Sequence, residues 1–83
     1  MFVILAYDVG VKRVARMRKT IEKYLHPVQK SVFEGYLTER TLSKLQKEIA
    51  ELIDCECDAV IIYKQDYHME IIKLEIGKRQ ESL

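Results

Sequence analysis

The chain has 83 residues, of which 48% are hydrophobic and 33% are charged, with one proline and three glycines. This length and composition exclude a multidomain or disordered protein and predict one domain spanning residues 1–83. The longest apolar run, Phe2 to Tyr7, is far shorter than the roughly 20 residues of a membrane-spanning helix and has no basic leader, so we expect a cytoplasmic protein.

The net charge of +1 is unevenly distributed along the chain. Residues 1–29 contain six Lys or Arg and two acidic residues, whereas residues 30–83 contain eight and eleven. The basic charge is therefore concentrated near the first predicted helix, which becomes the candidate anion-binding surface.

The first two predicted elements are a strand and a basic helix. Phe2 to Tyr7 is a continuous apolar run, typical of a central strand that is buried on both faces. After Gly10 the spacing becomes helical, and we expect the helix to end near Leu25 because Pro27 disfavours helical geometry at the residue before it. The apolar stripe of this helix comprises Val14, Met17, Ile21 and Leu25. Its opposite face carries Lys12, Arg13, Arg16, Lys19 and Lys23.

The middle of the chain is predicted to return to the sheet and then to form a second helix. Residues 28–37 alternate loosely around Gly35, which fits either one bent strand or a very short hairpin. Thr38 is a suitable N-cap for the helix that follows, and Glu39 is favourably placed in its first turn. The apolar stripe of this second helix comprises Leu42, Leu45, Ile49, Leu52 and Ile53.

The rest of the chain begins with an acidic loop at residues 54–58. Its two cysteines, Cys55 and Cys57, stand too close for an unstrained disulfide, and we interpret them as reduced thiols rather than zinc ligands. The remaining predicted elements are a buried strand at 59–63, a polar turn at 65–68, a final strand at 69–76 and a frayed tail at 78–83.

This order of elements predicts a ferredoxin-like α+β fold, βαββαβ with an extra C-terminal strand, in a mostly antiparallel sheet. Each amphipathic helix needs a sheet face to bury against, and packing both helices on one side is the economical arrangement for a short chain. The opposite sheet face then lacks cover although its strands are apolar. We therefore expect a homodimer in which a second copy covers that face.

Asp8 is the strongest candidate for a metal ligand and catalytic residue. Its carboxylate follows a buried strand and precedes a helix whose first turn bears Lys12 and Arg13. Mg²⁺, or Mn²⁺ in its place, is often held by one or two carboxylates together with water and substrate phosphate, so two Asp8 side chains across a dimer axis would suffice. The alternative is that Asp8 caps the following helix or ends the strand.

The basic face of the first helix is suited to binding a phosphate backbone without reading sequence; its alternative is a solvated helix face. Tyr7, Phe33 and Tyr36 could stack on bases, although strand aromatics more often fill a core. The sequence contains no Gly-rich phosphate loop, nucleophile elbow or redox Cys-x-x-Cys pair, which excludes several enzyme classes.

Several segments, in their order and spacing, resemble the CRISPR-associated Cas2 family over nearly the whole chain. The most specific is the block at residues 28–35, Val-Gln-Lys-Ser-Val-Phe-Glu-Gly. The others are Val3 to Val9 (VILAYDV), Leu37-Thr38, Leu52 to Asp54, Asp58 to Tyr63 (DAVIIY) and Ile76 to Lys78. The chain departs from the family at Pro27, where many members have an arginine, so a basic contact is expected to be lost there.

The resemblance implies a homodimer of CRISPR antiviral defence whose C-terminal strand packs on the partner's sheet and whose strand-end aspartates, here Asp8, face each other. Family members are described as metal-dependent endonucleases acting on RNA or duplex DNA, and as the bridge between integrase subunits that insert new spacers. Asp8 would then be the catalytic and metal-binding residue. The positions assigned to nucleic-acid binding are Tyr7, Lys12, Arg13, Arg16, Ser31 and Phe33.

Three functions compete on these grounds. A DNA-binding adaptor in spacer acquisition is favoured, because the sequence offers a basic face and an argument for a dimer but only one candidate catalytic residue per chain. A Mg²⁺-dependent phosphodiesterase centred on Asp8 is the second function, and both could operate in one molecule. A toxin-like RNA-cleaving or regulatory domain is the third, since a fold does not fix a function.

Overall fold

The computed structural model describes residues 1–66 and 71–77. Its regular elements are β1 (Phe2–Asp8), a 3₁₀ turn (Val11–Arg13), α1 (Val14–Glu22), β2 (His26–Gln29), β3 (Val32–Tyr36), α2 (Glu39–Leu52), β4 (Ala59–Gln65) and β5 (Ile71–Gly77). The second half of the predicted turn at 65–68, the first two residues of the predicted strand at 69–76 and the whole predicted tail at 78–83 lie outside the described residues.

The described strands form one sheet in the order β2-β3-β1-β4-β5, with antiparallel pairing throughout. This arrangement confirms the ferredoxin-like α+β fold class. At its centre, Ile4 of β1 lies opposite Glu34 of β3 and Tyr63 of β4. β2 and β3 form a hairpin, which settles the alternatives left open for residues 28–37, and their register shifts between Pro27 and Gln29.

β5 completes the sheet of its own chain. It pairs with β4 from Gly77 opposite Ala59 to Ile71 opposite Gln65. Packing of this strand on a partner, which the family resemblance implies, would therefore use its uncovered face or its outer edge.

α1 is shorter than the predicted helix and starts irregularly. A 3₁₀ turn precedes it, and neither start has a side-chain cap among the described residues. Met17, Ile21 and Leu25 are buried as predicted, but Val14 is 39% exposed. The prediction for Val14 is wrong because this residue opens the helix and lines a surface groove instead of the core.

α2 begins as the sequence predicts. The Thr38 hydroxyl oxygen accepts a hydrogen bond from the Thr41 backbone N–H at 3.1 Å, which satisfies one of the free donors of the first turn. Leu42, Leu45 and Ile49 are buried in the core. No helix in residues 1–66 or 71–77 is long and apolar enough to cross a membrane.

The core lies between the two helices and one face of the sheet. Along β1, Val3, Leu5 and Tyr7 are buried, whereas Ile4 and Asp8 are exposed. The prediction that this strand is buried on both faces is therefore wrong for the single chain, because both helices pack on the same side. The other elements contribute Met17, Ile21, Leu25, Phe33, Leu37, Leu42, Leu45, Ile49, Val60 and Ile62 to the core.

Candidate metal and nucleic-acid site

Asp8 is the last residue of β1, and its side chain is exposed. Alternation along the strand places it on the face of the sheet that the helices leave open. Within residues 1–66 and 71–77 its carboxylate makes no hydrogen bond or ion pair, and it caps neither the 3₁₀ turn nor α1. The helix-cap alternative is thus not what the structure shows, and the carboxylate is available to a ligand.

The same open face carries an apolar surface, here called the open-face patch (Phe2, Ile4, Tyr63 and Ile71). These side chains line a shallow depression of about 310 Å³. Ile4 is 36% exposed, Tyr63 38% and Ile71 65%. A contiguous apolar surface on the uncovered face of a sheet is typical of an interaction site.

A groove of about 430 Å³ lies beside Asp8. It is lined by Tyr7, Asp8, Val9, Val14, Arg18, Lys30 and Ser31. Arg18 is held there by three contacts: Nη1 donates to the Lys30 carbonyl at 3.2 Å, Nε lies 3.3 Å from the Glu22 carboxylate, and the guanidinium lies 5.4 Å from the Phe33 ring centroid. The groove therefore places two basic residues next to one carboxylate.

Sequence reasoning missed Arg18 as a site residue. Arg18 directly follows Met17 of the apolar stripe and lies outside the predicted basic face. No sequence pattern singles out Arg18, because the group that holds it at the groove is a backbone carbonyl, that of Lys30.

The two aromatic residues assigned to nucleic-acid binding, Tyr7 and Phe33, lie in the core. Phe33 is fully buried, Tyr7 is 8% exposed, and their rings stack with centroids 6.1 Å apart. The Tyr7 hydroxyl donates to the Lys30 carbonyl at 3.4 Å. Their assignment as base-stacking residues is therefore corrected: strand alternation turns both rings toward the helices, where they support the groove from below.

Some of the predicted phosphate-binding residues are exposed, whereas others already interact with groups of the same chain. Lys12 and Arg16 are exposed. Ser31 is half-buried, and its carbonyl accepts a hydrogen bond from the Tyr7 backbone N–H at 3.0 Å. Arg13, by contrast, forms a bidentate ion pair with Asp58, so its guanidinium points into a corner of the fold.

Asp58, which the sequence placed in an acidic loop, is fully buried. Besides the two bonds from Arg13, its carboxylate accepts hydrogen bonds from the backbone N–H groups of Gly10 at 2.8 Å and Asp54 at 2.9 Å. These bonds, the one from Arg13 above all, hold the pKa of the Asp58 carboxyl well below its usual range. The family segment that begins with Asp58 was the only sequence signal for it.

Asp8 is the candidate metal ligand that one chain supplies. The part of the chain that the structure describes contains no cluster of three or more His, Cys, Asp or Glu side chains able to hold a metal ion. An exposed, unpaired carboxylate fits Mg²⁺ or Mn²⁺ when water, phosphate and a second carboxylate complete the shell. The fit to such an ion therefore depends on a second copy of the chain.

Known proteins with related sequences give one consistent family. The sequence profile described as "CRISPR associated protein Cas2" matches residues 1–70. A Thermococcus kodakarensis protein named CRISPR-associated endoribonuclease Cas2 is 47% identical over 64 residues, which cover 77% of this chain and 75% of that protein. A Thermotoga maritima protein of the same name is 42% identical over 82 residues, and the match covers 94% of each chain.

Solved structures agree with the sequence matches. The crystal structure of Streptococcus pyogenes Cas2 has a TM-score of 0.73 at 27% identity and covers 81% of this chain and 88% of its own. The crystal structure of a hypothetical protein from Thermus thermophilus has a TM-score of 0.74 at 35% identity and covers 78% of this chain and 80% of its own. Both TM-scores indicate the same fold, and both sequence identities are high enough to support more than a shared fold.

Proposed function

The chain belongs to the CRISPR associated protein Cas2 family, and we propose that it is a homodimeric, metal-dependent endonuclease that cleaves RNA at a site built around Asp8. The relatives from T. kodakarensis and T. maritima carry the name endoribonuclease, which supports RNA as the substrate. The proposal includes a cytoplasmic location, as expected of a protein that meets cellular or invading RNA.

One observation carries the proposal: Asp8 shares the open sheet face with the open-face patch. Residues an even number apart on a strand point to the same side, so Ile4 and Asp8 lie on one surface. A second copy that covers the patch about a two-fold axis brings its own Asp8 to the same interface. If the two-fold axis passes close to the end of β1, where Asp8 lies, the two carboxylates meet at one substrate phosphate.

Burial of the open-face patch would contribute favourably to such a dimer. Full burial of a large apolar side chain contributes about 1.5–3 kcal/mol. Ile4, Tyr63 and Ile71 retain 36%, 38% and 65% of their exposure, so burying the remainder contributes roughly 2–4 kcal/mol per chain. Both chains contribute equally in a two-fold interface.

Asp8 from each copy would hold the metal ion, and the groove residues would orient the RNA. When bound, Mg²⁺ or Mn²⁺ supplies charge stabilisation at the phosphate and a more acidic water. Arg18 and Lys30, which line the groove beside Asp8, neutralise phosphate charge and fix the backbone. Since these contacts are to phosphate, cleavage should show little sequence preference.

The test is cleavage of labelled single-stranded RNA and duplex DNA by the wild-type protein and Asp8→Asn, each with Mg²⁺, Mn²⁺ or excess chelator. We expect metal-dependent RNA cleavage that falls roughly 100-fold or more in Asp8→Asn. Glu51→Gln is the matched control, because it removes an exposed carboxylate from α2 and should leave cleavage unchanged. Equal cutting by wild type and Asp8→Asn would refute the catalytic role of Asp8. Cutting of DNA alone would refute RNA as the substrate.

A DNA-binding bridge between integrase subunits in spacer acquisition is the second candidate function. The exposed basic side chains Lys12, Arg16 and Lys19 favour it, because they can follow a duplex backbone without reading its bases. This role requires no cleavage and can coexist with the first.

Duplex binding and spacer insertion test the second function. Combining Lys12→Ala with Arg16→Ala should weaken duplex binding, reduce the slope of log Kd against log salt by about 2, and stop insertion in a reaction reconstituted with integrase subunits. Asp8→Asn should leave insertion intact. Loss of insertion in Asp8→Asn, with normal insertion by the double variant, would contradict the bridging role.

A further inference from the structure

The geometry points to Asp58 and Arg13 as positioning residues that fix the turn directly after Asp8 and thereby the position of Asp8, an inference that rests on the proposed function. The Asp58 clamp is defined as the Asp58 carboxylate with its donors from Gly10, Arg13 and Asp54. It lies at the end of β1, directly behind the candidate site.

The Asp58 clamp spans two neighbouring strands. Asp58 immediately precedes Ala59, which lies opposite Asp8 in the β1–β4 ladder. From there one carboxylate oxygen reaches the chain just beyond Asp8 and accepts the Gly10 N–H at 2.8 Å. The other oxygen accepts the Asp54 N–H at 2.9 Å. One buried group thus joins the end of β1 to the loop before β4.

Arg13 closes the Asp58 clamp from the helix side. Its Nε donates to one carboxylate oxygen of Asp58, and its Nη2 donates to the other at 3.0 Å. A Cβ atom at Gly10 would overlap the Arg13 guanidinium, so the guanidinium lies directly over the backbone of the turn. Gly10 permits this close approach, and its φ of −59° is open to any residue.

The end of β5 supports the same corner. Gly77 has a φ of 92°, which favours glycine, and a Cβ atom there would overlap the Asp58 carbonyl oxygen. The β5 backbone therefore packs directly on Asp58, whose side chain is fully buried. This packing fixes the backbone position of Asp58.

The Asp58 clamp restricts where Asp8 can lie. Only Val9 and Gly10 separate Asp8 from the 3₁₀ turn, and Asp58 holds both Gly10 and the end of that turn. A displacement of about 1 Å from a productive geometry can lower a rate about 100-fold. Loss of the clamp should therefore reduce turnover, while RNA binding by the exposed basic residues is retained.

A direct phosphate contact by Arg13, as the sequence predicted, gives a different pattern. Removing Arg13 would then weaken RNA binding, whereas Asp58→Asn, which releases the guanidinium, would not. A lower cleavage rate with unchanged RNA Kd therefore indicates the positioning role of Arg13, and a raised RNA Kd indicates direct phosphate contact.

The experiment compares Arg13→Gln, Asp58→Asn, their combination and Arg13→Lys with the wild-type protein. Arg40→Gln is the control, because Arg40 is an exposed arginine on α2. Single-turnover RNA cleavage at saturating protein and RNA Kd are measured with Mg²⁺, at a temperature at which circular dichroism shows every variant to be folded. Hydrogen exchange of the Gly10 amide is followed in parallel.

We expect Arg13→Gln and Asp58→Asn each to cleave about 10–100-fold more slowly, with RNA Kd unchanged within about twofold, and Arg40→Gln to cleave at the wild-type rate. The double variant should be no slower than the slower single variant, because the two residues act as a unit. Arg13→Lys should restore part of the rate, and the Gly10 amide should exchange faster wherever the clamp is broken.

A raised RNA Kd with an unchanged rate in Arg13→Gln would overturn the inference, as would additive losses in the double variant. If Asp58→Asn does not fold, Arg13→Gln and Arg13→Lys alone test the inference, since both keep the Asp58 carboxylate. If the wild-type protein cleaves no RNA, the proposed function fails, and the exchange measurement decides: unchanged Gly10 exchange in Arg13→Gln overturns the inference, and faster exchange supports it.

Discussion

Replacing Asp58 with asparagine is expected to lower the free energy of unfolding by about 3 kcal/mol at pH 7. The carboxylate is fully buried and accepts bonds from Arg13 and from two backbone N–H groups. An asparagine side chain keeps one acceptor oxygen and turns an NH₂ group toward the remaining donors. Breaking a buried ion pair from one side typically costs about 3–5 kcal/mol, and the lower end applies because the Arg13 side chain is 24% exposed.

The loss should be visible in thermal and urea unfolding followed by circular dichroism. For a chain of this length, 1 kcal/mol corresponds to about 4–8 °C in Tm, so we expect a decrease of roughly 12–24 °C. Both proteins must be compared at one concentration, because the proposed dimerisation would stabilise the folded state by mass action.

The pH dependence gives the sharper test. The pKa of the Asp58 carboxyl is lowered in the folded state, chiefly by Arg13, whereas an unfolded Asp titrates near about 3.9. The stabilisation is therefore fully present above about pH 5 and is lost as the pH falls below about 4 toward the folded-state pKa. The difference between wild type and Asp58→Asn should shrink between pH 6 and pH 2. A difference below about 1 kcal/mol at pH 7, or one equally large at pH 3, would refute the reasoning.

Three further substitutions test the fold and the dimer. Thr38→Ala removes the cap of α2 and should lower the free energy of unfolding by about 1 kcal/mol, whereas Thr38→Ser should not; equal melting of the two variants would contradict the cap. Leu45→Ala empties a fully buried position and should cost about 2–5 kcal/mol in urea unfolding; a loss below 1 kcal/mol would mean that the core repacks. Ile71→Asp places charge in the open-face patch and should give monomers in sedimentation equilibrium, and a persistent dimer would show that the interface lies elsewhere.

Apolar periodicity predicted the helices and strands where the pattern is long and regular. The second helix is an example: Thr38 caps it, and Leu42, Leu45 and Ile49 are buried as expected. The run from Phe2 to Tyr7 gave one wrong prediction, the burial of β1 on both faces of the single chain. An apolar run indicates that both faces of a strand avoid water, but it does not indicate what covers the second face. In the single chain that face is open, and the same residues become the expected dimer surface.

The candidate site could be predicted only in its local part. Asp8 could be predicted because it ends an apolar strand, a pattern that requires no knowledge of residues distant in the chain. The partner of Arg13 lies 45 residues away along the chain, so the helix pattern alone could not show that its guanidinium turns inward. Phe33 was assigned to a surface from a family position, whereas strand alternation places it in the core.

The two edges of the sheet differ in their capacity to accept another strand. At β2 the ladder is interrupted: Pro27 has no N–H to donate, and the register shifts before Gln29. β5 has regular pairing along its inner side and is rich in isoleucine. Extension of the sheet by a foreign strand, whether in β-augmentation or in the first step of fibril growth, should therefore begin at β5. This strand already carries Lys73 and Glu75, so a proline on that edge would be the natural way to prevent such extension.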